Sequence, residues 1–140
     1  MPSDKLTQAQ LDHILNTDAP FSAHYGFIVE EFDKGTATIR LPYDTRHIRP
    51  GGTIIGPSMF ALADFGMYVA VMGAIGPVAL AVTTNMTIDF LRKPAERDLI
   101  ADVRLIKLGK RLAIGRVEIR AEGEDDMCAH VTGTYSIPPQ

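Results

Sequence analysis

Between Pro50 and Ile88 one side chain in 39 residues carries a formal charge, and it is Asp64. It sits inside MFALADFGMYVAVMG, a stretch apolar on nearly every side. A helix without a polar face has to be buried all round. Whatever the rest of the chain forms must therefore surround this segment. An ionised carboxylate in such surroundings is costly unless it finds hydrogen-bond partners or shifts its titration, so the same stretch poses a chemical question.

A membrane is the first alternative to a protein core. Residues 65–82, FGMYVAVMGAIGPVALAV, form an uncharged run of the length that can span a bilayer. Gly73, Gly76 and Pro77 interrupt it, no basic cluster flanks it to set a topology, and strand-like sequence follows. The expectation is a buried helix plus the start of a buried strand in a soluble protein, without a membrane partner. The polar N-terminus MPSDKLTQAQLDHILNTDAP has no apolar signal-peptide core. At 140 residues the chain is expected to be one domain, 1–140, with residues 1–19 a helical extension. Net charge is −3, which argues against a nucleic-acid surface. A lone cysteine, Cys128, excludes an intrachain disulfide and fits a reducing, cytoplasmic compartment.

Around the apolar segment, periodicity sets the order of elements. LTQAQLDHIL places Leu6, Leu11, Ile14 and Leu15 on one helical face, with Thr7 as cap. FSAHYGFIVEEFDKGTATIRLPY reads as a hairpin turning at DKG, with Phe27, Val29 and Glu31 alternating with Ile28, Glu30 and Phe32 on one arm and Thr36, Thr38 and Arg40 with Ala37, Ile39 and Leu41 on the other. DTRHIRPGGT reads as a loop. The apolar helix is expected to begin at Gly56-Pro57, where proline suits a first turn, and to stop between Gly73 and Gly76. Strand-like runs follow; alternation is clearest in LIADVRLIKL, where Ile100, Asp102, Arg104 and Ile106 interleave with Ala101, Val103 and Leu105, and Ile114, Arg116, Glu118 and Arg120 alternate with Gly115, Val117, Ile119 and Ala121 as well. This order implies an α+β fold, an antiparallel sheet curled round one long apolar helix.

With that order, GGTIIGPSMFALAD followed by LAVTTNMTIDFLRKP resembles the hotdog-fold acyl-CoA thioesterases, in particular the branch named for the phenylacetate-pathway thioesterase PaaI. The family's loop G-T-x-H-G-G leads into the central helix, and an acid follows about two turns later. Gly52, Thr53, Gly56 and Asp64 match that frame. Two positions depart from it: Ile55 stands where the family has histidine, and Pro57 replaces the second glycine, removing one N–H donor.

The resemblance implies a site. Asp64 is its nucleophile or general base, next to donors for a developing oxyanion. Gly56 aims its N–H at the thioester oxygen; Thr83 or Thr84 holds the water, with Thr83 favoured by register. His47 and Arg49 orient the acyl carbonyl, and Arg92, Lys93, Lys110 and Arg111 meet coenzyme A's phosphates. The bland alternatives remain: an acid accepting loop N–H bonds, a glycine for a tight turn, threonines favoured in strands, and solvated basic residues at strand ends. His13, His24 and His130 share no metal spacing, so neither a metal nor a cofactor is expected beyond the coenzyme A of the substrate. The implied activity is hydrolysis of an aromatic or medium-chain acyl-CoA by a homodimer or homotetramer. A hotdog hydratase or dehydratase using His47, and a non-catalytic acyl-CoA-binding module, are the competing readings.

Overall fold

The computed structural model describes residues 4–19, 22–49 and 53–139, without the side chains of Arg49 and Thr53. Helix α1 (Gln8–His13) starts at Thr7 as expected. Its hydroxyl accepts from the Gln10 N–H at 3.1 Å while the Gln10 side chain accepts from the Thr7 N–H at 2.9 Å, a reciprocal capping box. A π-helical turn (Ile14–Asp18) continues it, and Leu6, Leu11 and Ile14 are buried in the main core. Helix α2 (Ser22–Tyr25) is a single turn.

The hairpin pairs β1 (Ile28–Asp33) with β2 (Thr36–Leu41) across Lys34 and Gly35. Its first arm does not alternate strictly. Val29 pairs with Ile39 and Phe32 with Ala37, so two residues three apart share the inner face, and a bulge at Glu30 absorbs the extra one. The loop that follows is not wholly irregular, because two-residue strands β3 (Ile48–Arg49) and β4 (Thr53–Ile54) pair across it. Helix α3 (Gly56–Ile75) has the expected bounds, with proline in its first turn and Gly76 at φ 107° ending it. Strands β5 (Val82–Phe90), β6 (Leu99–Leu108), β7 (Leu112–Ala121) and β8 (Ala129–Ser136) complete the chain.

Six strands form one antiparallel sheet in the order β1-β2-β6-β7-β8-β5, leaving β1 and β5 at its edges. Helix α3 touches every one of them. It is long and apolar enough to cross a membrane, yet 72% of its most apolar 18-residue window is buried inside the protein. Leu62, Phe65, Met67, Val69, Val71 and Met72 are almost completely enclosed. Each such side chain contributes about 1.5–3 kcal/mol.

Close approach of helix to sheet depends on missing side chains. Gly115 on β7 and Gly133 on β8 face each other across the strands, and Met67 fills the hollow they leave. A Cβ at Gly115 would lie 2.5 Å from the Met67 sulfur. At the far end of α3, a Cβ at Gly73 would lie 2.2 Å from the carbonyl oxygen of Asp33 in β1. That neighbour is backbone held in a ladder and cannot rotate away. Gly73→Ala gains about 1 kcal/mol in helix propensity but forces α3 off β1, and overpacking of this kind costs about 1–3 kcal/mol or more. The variant is expected to lower the urea midpoint, with a net loss of up to about 2 kcal/mol; a midpoint raised by the full helix-propensity gain would refute the close contact.

Candidate active site

Pro57, Phe60, Ala61 and Asp64 lie at i, i+3, i+4 and i+7 on α3, the stripe of the helix that the sheet leaves uncovered. Their neighbours Met59, Leu62, Ala63 and Phe65 are buried, whereas Phe60 is 39% exposed and Asp64 is half-buried. Asp64 therefore sits at the boundary of core and opening, which answers why a charge is tolerated there.

Two strand residues hold it. Thr83 on β5 and Tyr135 on β8 are direct cross-strand partners on the face turned towards α3. The Thr83 hydroxyl donates to Asp64 Oδ1. The Tyr135 hydroxyl lies 2.8 Å from the same oxygen and 2.9 Å from the main-chain oxygen of Asp64. Among the described residues nothing else bonds this carboxylate, so Oδ2 is unclaimed, and no lysine, arginine or histidine forms an ion pair with it. Burial, and next the charge of Asp64, push the Tyr135 phenol far above its ordinary range, so it stays an O–H donor. Thr84 falls on a bulge between Thr83 and Asn85 and gives its hydroxyl to the Thr134 carbonyl at 3.2 Å, away from Asp64.

The stripe and β5 border an open-sided cavity of about 630 Å³, walled by Tyr25, Phe60, Ile88 and Phe90, with Gly56 and Asp64 on its lining. A Cβ at Gly56 would come within 3.0 Å of the tip of the Phe90 ring, so the two residues pack closely on this wall. Pro57 has no N–H, and the Ser58 N–H is taken by the Ile55 carbonyl at 3.2 Å. The Gly56 N–H has no acceptor among the described residues and is the open donor at the positive end of the helix. Gly56 and Asp64 are eight residues apart, about 12 Å along the axis. A cleft of similar volume on the outer sheet face is lined by Glu31, Asp33, Asp102, Arg104, Arg116 and Glu118, and it holds none of the residues singled out from sequence.

Those remaining residues are spread out. His47 ends a 3₁₀ turn (Thr45–His47) and is not on the cavity wall; its ring leans on Tyr25, with centroids 5.5 Å apart. Its carbonyl accepts from the Ile55 N–H at 2.7 Å, pinning the loop to the start of α3, and its Nδ1 is buried without a partner among the described residues. Gly52 and the side chains of Arg49 and Thr53 lie outside the described residues. Arg92 and Lys93 follow the Phe90 end of β5, and Arg92 is already engaged by Asp126 at 3.0 Å and Glu124 at 3.7 Å. Lys110 and Arg111 lie at the other end, because Leu112 pairs with Ser136 and Ser136 with Val82. The nine residues of β5 separate the two basic pairs by about 25–30 Å within one chain. One chain alone does not gather all four around a single ligand.

Sequence reading missed Tyr135. Its signal was present only as a tyrosine on the inner face of an otherwise small-residue strand, Ala129, Val131, Gly133. Cys128 is 1% exposed, and burial pushes its thiol up to about 11. Thiolate is therefore scarce at pH 8. Labelling by a disulfide reagent at that pH is expected to be at least tenfold slower in the native protein than in urea; equal rates would contradict the burial.

The sequence profile of the thioesterase superfamily matches residues 51–128. A Silicibacter protein whose structure is described as that of a "putative thioesterase" is 44% identical, covers 98% of this chain and 93% of its own, and superposes with a TM-score of 0.83. A mutant of the phenylacetic acid degradation protein PaaI from Thermus thermophilus is 28% identical over 85% of this chain and 99% of its own, with a TM-score of 0.75. Thioesterase HI1161 from Haemophilus influenzae shares the fold at a TM-score of 0.84, with 22% identity over 99% and 96% of the two chains.

Proposed function

Because the chain belongs to the thioesterase superfamily, as a PaaI-like enzyme of the hotdog fold, we propose that it hydrolyses an acyl-CoA to the free acid and coenzyme A, with Asp64 as the reacting carboxylate. The observation that carries this reading is a half-buried carboxylate, tethered through one oxygen by hydroxyls, on the wall of an apolar cavity that begins at a helix N-terminus. The walls of Tyr25, Phe60, Ile88 and Phe90 suit an aromatic or medium-chain acyl group. In one route Asp64 takes a proton from water as the water oxygen bonds to the acyl carbon, the C–S bond breaks, and the thiolate leaves and is protonated. In the other, Asp64 itself bonds to the acyl carbon, expels the thiolate, and water opens the resulting anhydride. Both place negative charge on the acyl oxygen, where the Gly56 N–H and the helix dipole stabilise it. Thr83 donates its proton to Asp64 and keeps lone pairs with which to hold a water. The hydratase reading relies on His47, which is off the cavity wall. The lone cysteine supports a reducing, cytoplasmic location.

The working unit is a homodimer in this reading. Among the described residues the outer edge of β5 has no partner strand, and Phe60, Phe90 and Leu91 are exposed beside it. Gly56 packs at the Phe90 end of β5 and Asp64 at its Thr83 end. Two copies paired antiparallel along β5 set the Phe90 end of one against the Thr83 end of the other. Gly56 of one copy then meets Asp64 of the other, shortening the 12 Å gap within a chain. The same reversal brings the separated basic pairs towards one mouth, where they would meet nucleotide phosphates.

Asp64→Asn keeps an acceptor oxygen for both hydroxyls but is neither base nor nucleophile. It is expected to stay folded and to lose about 10²-fold or more in kcat in a thiol-release assay over an acyl-CoA panel. Near-parental hydrolysis by the variant would overturn the assignment, and hydration of crotonyl-CoA without thiol release would favour the hydratase reading. Sedimentation at micromolar concentration is expected to give at least twice the 15.3 kDa chain mass; a monomer alone would refute the shared site.

A further inference from the structure

Hydrolysis by Asp64 needs its carboxylate ionised, aimed, and open at one oxygen. Resting on that reading, we propose that Tyr135 is a positioning residue: with Thr83 it fixes Oδ1, so that Oδ2 is the oxygen presented to the acyl carbon or to water.

The Tyr135 hydroxyl meets two oxygens of Asp64, Oδ1 at 2.8 Å and the main-chain oxygen at 2.9 Å, with the Thr83 hydroxyl within hydrogen-bonding reach beside them. A phenol has one proton to share between them. The hydroxyl thus measures the side chain of Asp64 against its own backbone, which fixes the rotamer as well as the height of the helix over β8. Phenylalanine would fill the same core space, so packing alone does not call for the oxygen. Thr83 approaches Oδ1 from the edge strand, and the register that sets Thr83 opposite Tyr135 makes one unit of the two donors.

The choice of donors also matters. A lysine or arginine would pair with both oxygens and quench the carboxylate as a nucleophile; neutral hydroxyls stabilise its ionised form and leave Oδ2 free. The other titratable groups nearby do not compete. The Tyr68 ring lies 6.5 Å from that of Tyr135, but its hydroxyl is bonded to the Ala79 carbonyl at 2.8 Å. Tyr25 stands across the cavity, and no cation pairs with Asp64 among the described residues. The deep burial of Tyr135, 3% exposed, keeps it a donor over the working pH range.

Tyr135→Phe is expected to lower kcat about 10-fold with KM within about twofold, since the lost bond acts on the reacting group and not on substrate binding. The acid limb of the kcat–pH profile is expected to move up by about one unit, because the ionised carboxylate loses a donor. Site-specific 3,5-difluorotyrosine at position 135 keeps the shape and strengthens the donor, so the limb is expected to move down. It also serves if Tyr135→Phe does not fold. A purely structural role for the hydroxyl produces no limb movement of opposite sign in the two variants. A limb unmoved in either folded variant, whatever the fall in kcat, would overturn the proposal. Asp64→Asn separates the two levels: if it is inactive and Tyr135 changes are silent, only the positioning role fails, and if it is active, the catalytic reading beneath it fails.

Discussion

Helix α3 has no polar side to give to water, and the rest of the chain is arranged around that fact. Twenty residues from Gly56 to Ile75 must be enclosed, and a single flat layer cannot enclose a helix. The six-stranded sheet does so by curving about it, with bulges at Glu30, Thr84 and Ile106 where strand and curve fall out of step. The fit then rests on absent atoms. Gly115 and Gly133 open a hollow for Met67, Gly66 lets α3 approach Val103, and Gly73 lets it touch the backbone of β1. These contacts fix the rotation of the helix, and so fix which stripe is left looking outward.

That stripe carries the one charge of the helix. A carboxylate on the buried side of α3 would face several kcal/mol of desolvation without a counter-charge. On the uncovered stripe, half-exposed, Asp64 needs only two neutral hydroxyls, each hydrogen bond to a charged group contributing about 1.5–3 kcal/mol. The same edge that exposes it leaves the outer side of β5 without a partner strand among the described residues and Phe60, Phe90 and Leu91 uncovered. An incomplete site and an incomplete sheet thus occur in one place, which is the physical basis for reading the functional unit as two chains.

The aromatic relay from Phe65 through Phe27 to Tyr25 and His47 links this region to the loop before the helix. Ring centroids are 4.9, 5.0 and 5.5 Å apart along it. His47 therefore touches the wall residue Tyr25 and holds Ile55 at the helix start without lining the cavity itself. The departure of Ile55 from the family histidine falls at this helix cap, where no side-chain hydrogen bond is made.

Sequence alone determined the helix and its bounds, the hairpin, the strand order along the chain and the isolation of Asp64 within the helix. Each of these is written in local periodicity, in a proline and glycines at helix ends, or in the isolation of one charge among apolar neighbours. Register and reach lie beyond such local signals. Tyr135 is 71 residues from the aspartate it holds, and only the pairing of β5 with β8 sets it opposite Thr83. One bulge turns Thr84 away from the site where alternation by itself left both threonines in play, and strand length parts the two basic pairs that sequence grouped together. Tertiary structure decided these because a side chain's direction in a sheet reverses with every residue of register. The pattern of the chain names the face a residue prefers, but only the partner strand fixes what that face meets.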